Sequence, residues 1–494
     1  MAAALAPAFI RIGGTEADRV LYALESQSPT KPPPPFTSVL SSRHIDSLGD
    51  FALAAGLHVS FTVNAGWGAR TGSGVWQSSQ TRALMRYVSA RGYPFTVWEL
   101  GNEPNAWPLF QQNLIIEPEA YARDLGELAA ARDAECPTAR IAGPATAYWP
   151  TIGEVPAFAT HFPPRLVCNF LPRMLRAAPL HAVPEIVSWH YYPGLSTRSA
   201  LAKYRPEATA LATYIVAALA ALYASRSLLP RRAIVFLLTM LFAVLALVLA
   251  VRAVVRPVHA VGPLSLRDPA VLDTVAHWGA GVRDAIDSLP KQPKLPELWL
   301  GETGSAQVGG EPGISGCWAT SLWWLDQLGL LATQGHAVQC RQTLAGADYG
   351  LIDDATLEPT PDYWASVLWR RLMGTAVFRA HADGAPPTLR VYAHRSPRGR
   401  SAAPPFPDTA SDATTFLVIN LGSDPVELDL FAATSRSERE AEVWLLEGAF
   451  PNSTSCTING VQAVTAADGA VPDFLPRREA RPRVPAGSAA FVRI

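Results

Sequence analysis

Two glutamates, each just past a short apolar run, are the residues of this chain best placed to do chemistry. Phe95 to Asn105 reads FTVWELGNEPN. Its β-forming start (Phe95, Thr96, Val97, Trp98) and its stop at Gly101 and Pro104 predict a buried strand ending in a turn that presents Asn102 and Glu103. Far downstream, LWLGETGSA from Leu298 to Ala306 repeats the arrangement, with a short apolar run closed by Gly301 and delivering Glu302. Two acids at two strand ends suggest a pair of catalytic carboxylates.

Such a pair needs a scaffold that brings strand ends together. FIRIGG (Phe9 to Gly14), HVSFTVN (His58 to Asn64), RIAGPA (Arg140 to Ala145), EIVSWHYY (Glu185 to Tyr192) and VQCRQTL (Val338 to Leu344) are further expected strands, most of them closed by glycine, proline or polar residues. Helical spacing falls between them, over Arg43 to Leu57, Ser79 to Arg91, Glu117 to Arg132 and Cys317 to Leu328. Strands alternating with helices describe a parallel α/β architecture, a (β/α)8 TIM-type barrel with seven of its eight strands visible. From Gly374 the pattern changes to short alternating strands (TLRVYAH, TTFLVINL, AEVWLLEG, SAAFVRI), an all-β domain of sandwich type. The expected domains are therefore 1–373 and 374–494.

Composition narrows the partners. The 494 residues carry 41 Lys and Arg against 42 Asp and Glu, a net charge of -1, so no basic field favours nucleic acid. Charged residues make up only 17% of the chain, against roughly 25% in soluble domains, which points to an unusually apolar segment. That segment lies within 196–261, where Ala208 to Ala224 and Ala233 to Val251 are apolar runs and the second is long enough to cross a bilayer. Two readings stay open: a membrane hairpin over 208–251, or intronic sequence carried into the chain. Five cysteines lack metal-ligand spacing, and Asn452-Ser453-Thr454 is a single glycosylation sequon that fits a secreted protein. No signal peptide is visible at the start.

Trp98-Glu99-Leu100-Gly101-Asn102-Glu103-Pro104-Asn105 with Leu300-Gly301-Glu302-Thr303 resembles the heparanase-like family of retaining endo-β-glucuronidases, whose acid/base and nucleophile sit on barrel strands four and seven. Arg11-Ile12-Gly13-Gly14-Thr15 is similar to the family's strand-two motif and Trp189-His190-Tyr191-Tyr192 to its strand-six motif. Arg341-Gln342 with Gly346-Ala347-Asp348-Tyr349 resembles strand eight and its loop, and Pro361-Asp362-Tyr363-Trp364 the last helix. The resemblance implies Glu103 as acid/base, Glu302 as nucleophile, Asn102 on the sugar 2-hydroxyl, His190 and Tyr192 on the nucleophile side, and Gln342 as a substrate-binding residue. It implies recognition of a uronic carboxylate by Tyr349 and the amides of Gly309 and Gly310, with a uronic-acid glycan as substrate, no cofactor and no metal. A secreted, lysosomal or extracellular-facing location goes with it.

Against the family, the chain opens at the second barrel strand, so the closing strand would come from a further N-terminal segment or another chain. Val308 stands where the family has glycine, and its β-branched side chain disfavours a positive φ there. No arginine accompanies the loop after Glu302, and Ala145 to Val155 lacks the basic cluster of vertebrate heparanases, which disfavours heparan sulfate. Two other readings stay open: an exo-glycosidase of the same clan without uronate specificity, and an inactive membrane-anchored glycan-binding protein.

Overall fold

The computed structural model describes residues 1–24, 31–107, 114–149, 169–199, 259–290, 294–397, 411–430 and 440–494, with short pieces within 237–245, 399–400 and 408–409. Seven strands pair in parallel and in chain order: β1 (Ala8–Ile12), β2 (Leu57–Val63), β3 (Phe95–Leu100), β4 (Arg140–Trp149), β5 (Ile186–Tyr191), β6 (Glu297–Thr303) and β7 (His336–Arg341). They curl into a nearly closed barrel. Its two edge strands face a cavity of about 610 Å³ lined by Phe9 and Ile10 on one side and Val338 and Cys340 on the other.

Alternation along these strands decides what points inward. Phe9, Val97, Ala142, Ile186, Trp299 and Val338, from six of the seven strands, pack together as an apolar floor, with the Phe9 and Trp299 rings 4.6 Å apart. Two residues further along, the same inward register carries Arg11, Glu99 and Ser188, and two beyond Ser188 comes His190. The floor keeps water from one end, and the polar layers rise from it toward the strands' C-terminal ends, where barrel chemistry is found.

Helices cover the outside. α1 (Ser42–Ala55) starts at a capping box between Ser41 and His44 and ends at Gly56, whose left-handed φ of 67° a side chain would resist. α2 (Ser79–Ala90), α3 (Pro118–Glu135), α4 (Phe170–Ala177) and α5 (Thr274–Asp287) follow in turn. α6 (Trp318–Thr333) is buried on nearly every side, because it lies between the barrel and a second sheet. α7 (Pro361–Leu372) packs beside it.

The second sheet is eight-stranded and antiparallel, centred on β8 (Leu389–Arg395), β9 (Thr414–Asn420), β10 (Ala441–Glu447) and β11 (Ser488–Arg493) in the spatial order β8-β9-β11-β10. Leu417, Ile419, Leu446, Ala489 and Phe491 face α6 and α7, whereas their alternates Val418, Val443, Leu445, Ala490 and Val492 meet a two-stranded ribbon through Val484. Across the junction Asp326 of α6, fully buried, accepts from Arg390 Nε at 2.9 Å and the Tyr392 hydroxyl at 2.6 Å.

The apolar runs of the 196–261 insertion lie outside the described residues apart from those short pieces. Among the described residues no helix is long and apolar enough to cross a membrane. Cys136, Cys317, Cys340 and Cys456 are free thiols.

Gly329 sits where α6 passes under the Tyr392 ring, and a Cβ there would lie 2.3 Å from ring atoms that Asp326 holds in place. Helix propensity favours alanine by about 1 kcal/mol, but overpacking costs about 1–3 kcal/mol. Gly329→Ala is therefore expected to be destabilising, by up to about 2 kcal/mol in urea unfolding. An unchanged or higher midpoint would show that this junction is not close-packed.

Candidate active site

Arg11 rises from the edge strand β1 into the barrel and joins the polar layer. Its Nε donates to Glu99 Oε2 at 2.8 Å, Nη1 to Glu302 Oε2 at 2.9 Å and Nη2 to Asn102 Oδ1 at 2.9 Å. Glu99, on β3, also accepts from Thr62 Oγ1 at 2.8 Å and Ser188 Oγ at 2.7 Å. Burial works against the charge on Glu99, but Arg11, His190 and the two hydroxyls outweigh it and keep the carboxyl below its ordinary range.

Glu302 reaches this layer through a bulge. Leu300 pairs with Trp189 and Glu302 with His190, so Gly301 is the extra residue that re-aims the glutamate. Tyr192 directs its hydroxyl to Glu302 Oε1 at 2.7 Å and lies equally close to the Gln342 side chain. A hydroxyl has one hydrogen, and the carboxylate is its stronger acceptor. Burial opposes the charge on Glu302. His190, Arg11 and the Tyr192 hydroxyl outweigh burial and hold this carboxyl, too, below the ordinary range.

Glu103 follows β3 in a left-handed conformation, φ 53° and ψ 53°, before the turn Pro104–Ala106. Its amide donates to Ala145 O at 3.0 Å, and its Oε1 lies 2.9 Å from His190 Nδ1. Carboxylate oxygens of Glu103 and Glu302 and a ring nitrogen of His190 fall within 4.8 Å of one another. That donor set resembles a cation site, but the Arg11 guanidinium already sets a positive charge against Glu302.

The loop after Glu302 departs from expectation in three ways. Val308 does take a positive φ, 55°, so the valine accepts the backbone that its side chain disfavours, at a cost of about 1–2 kcal/mol; its side chain is 57% exposed and nothing crowds it out. Gly310 turns its amide back onto Gln307 O at 3.2 Å, which commits it within the loop. An arginine does accompany this loop: Arg198, from the segment after β5, pairs with Asp348, and a Cβ on Gly309 would lie 3.4 Å from its Nη1. The Gly309 amide and Gln342 meet at the Tyr349 hydroxyl, whose pKa burial pushes up to about 12 with help from the Glu302 charge. Behind Tyr349, Arg341 is held by Asp362 at 2.7 Å and flanked by the buried Trp323 and Trp324. Those tryptophans are packing residues.

Glu103, Glu302, Asn102, His190, Tyr192, Gln342, Tyr349 and Gly309 thus gather at one end of the barrel. Sequence reading gave no role to Arg11, Glu99 or Asp18. A charge in the middle of an apolar strand (FIRIG, VWELG) is a usable signal, because a side chain in an inward register has to be paired. Asp18 carries no such signal, since its partners are backbone amides and an indole of distant segments.

Residues 1–135 match the family model for glycosyl hydrolase family 79, N-terminal domain. Over 441 residues the chain is 26% identical to heparanase-like protein 1 of Arabidopsis thaliana, covering 85% of this chain and 63% of that protein. Over 363 residues it is 28% identical to heparanase of Bos taurus, covering 72% of this chain and 50% of the other. The chain therefore spans less than two thirds of either relative's length. The solved structure of a 4-O-α-L-rhamnosyl-β-D-glucuronidase from Fusarium oxysporum superimposes with a TM-score of 0.59 at 15% identity, over 98% of this chain and 88% of that one, a likeness of fold. With relatives aligned along most of its length and paired glutamates at one end of a parallel barrel, the chain is similar to the heparanase-like glycoside hydrolases.

Proposed function

We propose that this chain is a retaining glycoside hydrolase that cleaves β-glucuronide linkages in uronic-acid glycans. The observation that carries the reading is the close approach of the Glu103 and Glu302 carboxylates, with oxygens within 4.8 Å. Retaining enzymes keep the two carboxyl groups about 5–5.5 Å apart, whereas inverting ones need about 6.5–9.5 Å to admit a water between them. Glu302, ionised and held by Arg11 and Tyr192, attacks the anomeric carbon as Glu103 gives its proton to the leaving oxygen. A glycosyl ester forms on Glu302. Glu103 then takes a proton from water, which attacks the same carbon and frees Glu302. Arg11 occupies Asn102 Oδ1, so the amide NH2 is the end left to donate to a sugar 2-hydroxyl. The Tyr349 hydroxyl, which the Gly309 amide meets, is the group offered to a uronic carboxylate, with Arg198 nearby.

A strand from a further segment or chain in the cavity between β1 and β7 would close the barrel. Asn452 is exposed, as a glycosylated residue in a secreted, lysosomal or extracellular-facing protein has to be. The hairpin reading of 208–251 stays with the sequence alone.

Three outcomes test the reading. Glu302→Gln is expected to abolish turnover of an activated aryl glucuronide. Glu103→Ala slows it less, and added azide restores it with a β-glycosyl azide as product. Equal losses that azide leaves unchanged, or a product of inverted configuration, would reject these roles.

Tyr192→Phe removes a hydrogen bond that favours ionised Glu302, so its pKa rises toward the ordinary carboxylate range. The acidic limb of the kcat/KM profile then moves to higher pH, and activity at acidic pH is lost earlier. A limb that stays in place would separate Glu302 from that limb.

Tyr349→Phe is expected to lower the kcat/KM ratio of aryl glucuronide over aryl glucoside by about ten- to a hundredfold, the worth of one charge-assisted hydrogen bond. A wild type that already prefers the glucoside would favour the exo-glycosidase reading without uronate specificity.

A further inference from the structure

Asp18 lies in the turn Thr15–Arg19 that follows β1, only 2% exposed. Its Oδ1 accepts from the Ala65 amide at 3.0 Å, and its Oδ2 accepts from the Asn102 amide at 2.9 Å and from Trp107 Nε1 at 3.1 Å. Trp107 Nε1 also donates to Asn102 O at 2.7 Å. One carboxylate thereby joins the end of β2, the turn after β3, and the indole that closes that turn. The chain makes room for it with two glycines. A Cβ on Gly66 would lie 2.1 Å from the Asp18 carbonyl oxygen, and one on Gly101, at φ +65°, would lie 3.0 Å from Oδ1 and 2.8 Å from the Trp107 ring.

The residue after the Asn102 amide is Glu103, in the left-handed conformation that a side chain disfavours. Something has to hold it there, and charge-assisted hydrogen bonds from buried amides to a carboxylate are stronger than that strain. Asp18 itself touches neither Glu103 nor Glu302.

We propose that Asp18 is a positioning residue for Glu103: by fixing the Asn102 amide and the Trp107 indole, it keeps the Glu103 backbone left-handed and its carboxyl aimed at His190 and Glu302. The inference rests on the reading of Glu103 as acid/base. Burial pushes the Asp18 carboxyl up to about 7 against the pull of the Asn102 and Ala65 amides, the Trp107 indole and the Arg70 charge, so the carboxylate form is favoured only above that pH.

Asp18→Asn keeps the shape but sets an NH2 against donors. The test measures kcat/KM for aryl glucuronides with graded leaving groups. Phenyl glucuronide, which needs a proton on its leaving oxygen, is expected to slow about 100-fold, while the dinitrophenyl compound slows by less than about threefold. Rates are referred to active sites counted by trapping the glycosyl ester with a 2-fluoro glucuronide, so a misfolded fraction drops out. Trp107→Phe, which removes one donor and keeps the carboxylate, is expected to steepen the leaving-group dependence in the same direction and by less. Equal slowing of all substrates in both variants, or a slope unchanged from wild type, overturns the proposal. A crystal structure of Asp18→Asn reads the same point without turnover, with loss of the Glu103–His190 contact expected and its survival counting against the idea. If the wild type cleaves none of these substrates, the proposed function fails, and the crystal structure still decides the positioning.

Discussion

The interaction on which the rest depends is the Arg11 guanidinium held among Glu99, Asn102 and Glu302. The buried Glu99 and the partly exposed Glu302 share one region of the barrel, where their like charges are balanced by one cation. Removing one partner of a buried ion pair typically costs about 3–5 kcal/mol, because the other charge is left uncompensated. Arg11 does more than balance charge. Its planar fork fixes the direction of each acceptor, which a flexible ammonium would not. The hydroxyls of Thr62 and Ser188 complete the set on Glu99, so the guanidinium meets a carboxylate that is itself immobile.

Three of the six non-glycine residues with positive φ among the described residues lie around the same place. Glu103, Ala145 and Val308 all hold positive φ, and each borders the glutamate pair or the loop beside it. Every such residue costs on the order of 1–3 kcal/mol and persists only where its surroundings dictate it. For Glu103 and Ala145 the surroundings include each other, since the Glu103 amide donates to the Ala145 carbonyl. The barrel floor, the Arg11 layer and these strained turns form a sequence from apolar to charged to conformationally forced, rising along one axis.

The alternation of strands and helices was legible because each element has its own period and each strand ends at a chain breaker. The glutamates were legible for the same reason, as acids set just past those breakers. Arg11 and Glu99 were within reach of the inward register but were absorbed into motifs. Asp18 was not legible, because nothing local says that its carboxylate will meet the amides of residues 65 and 102. Val308 shows the limit from the other side. Its propensity disfavours the loop geometry, yet the neighbouring glycines and Asp348 impose that geometry, so local preference yields to context. The free amide expected of Gly310 is spent on its own turn, and Arg198 arrives from a segment that sequence order does not associate with the loop.

The ion pair between Arg11 and Glu302 joins residues 291 positions apart. Loop-closure entropy grows slowly, by about 0.6 kcal/mol for each doubling of length, so this separation costs the finished protein little. It costs time instead, since long-range parallel pairing is slow to form. During synthesis the guanidinium emerges early and waits for its partner through most of translation. The pairing of Glu302 is therefore a late event in folding, and a chain halted before β6 docks holds Arg11 against Glu99 and Asn102 alone.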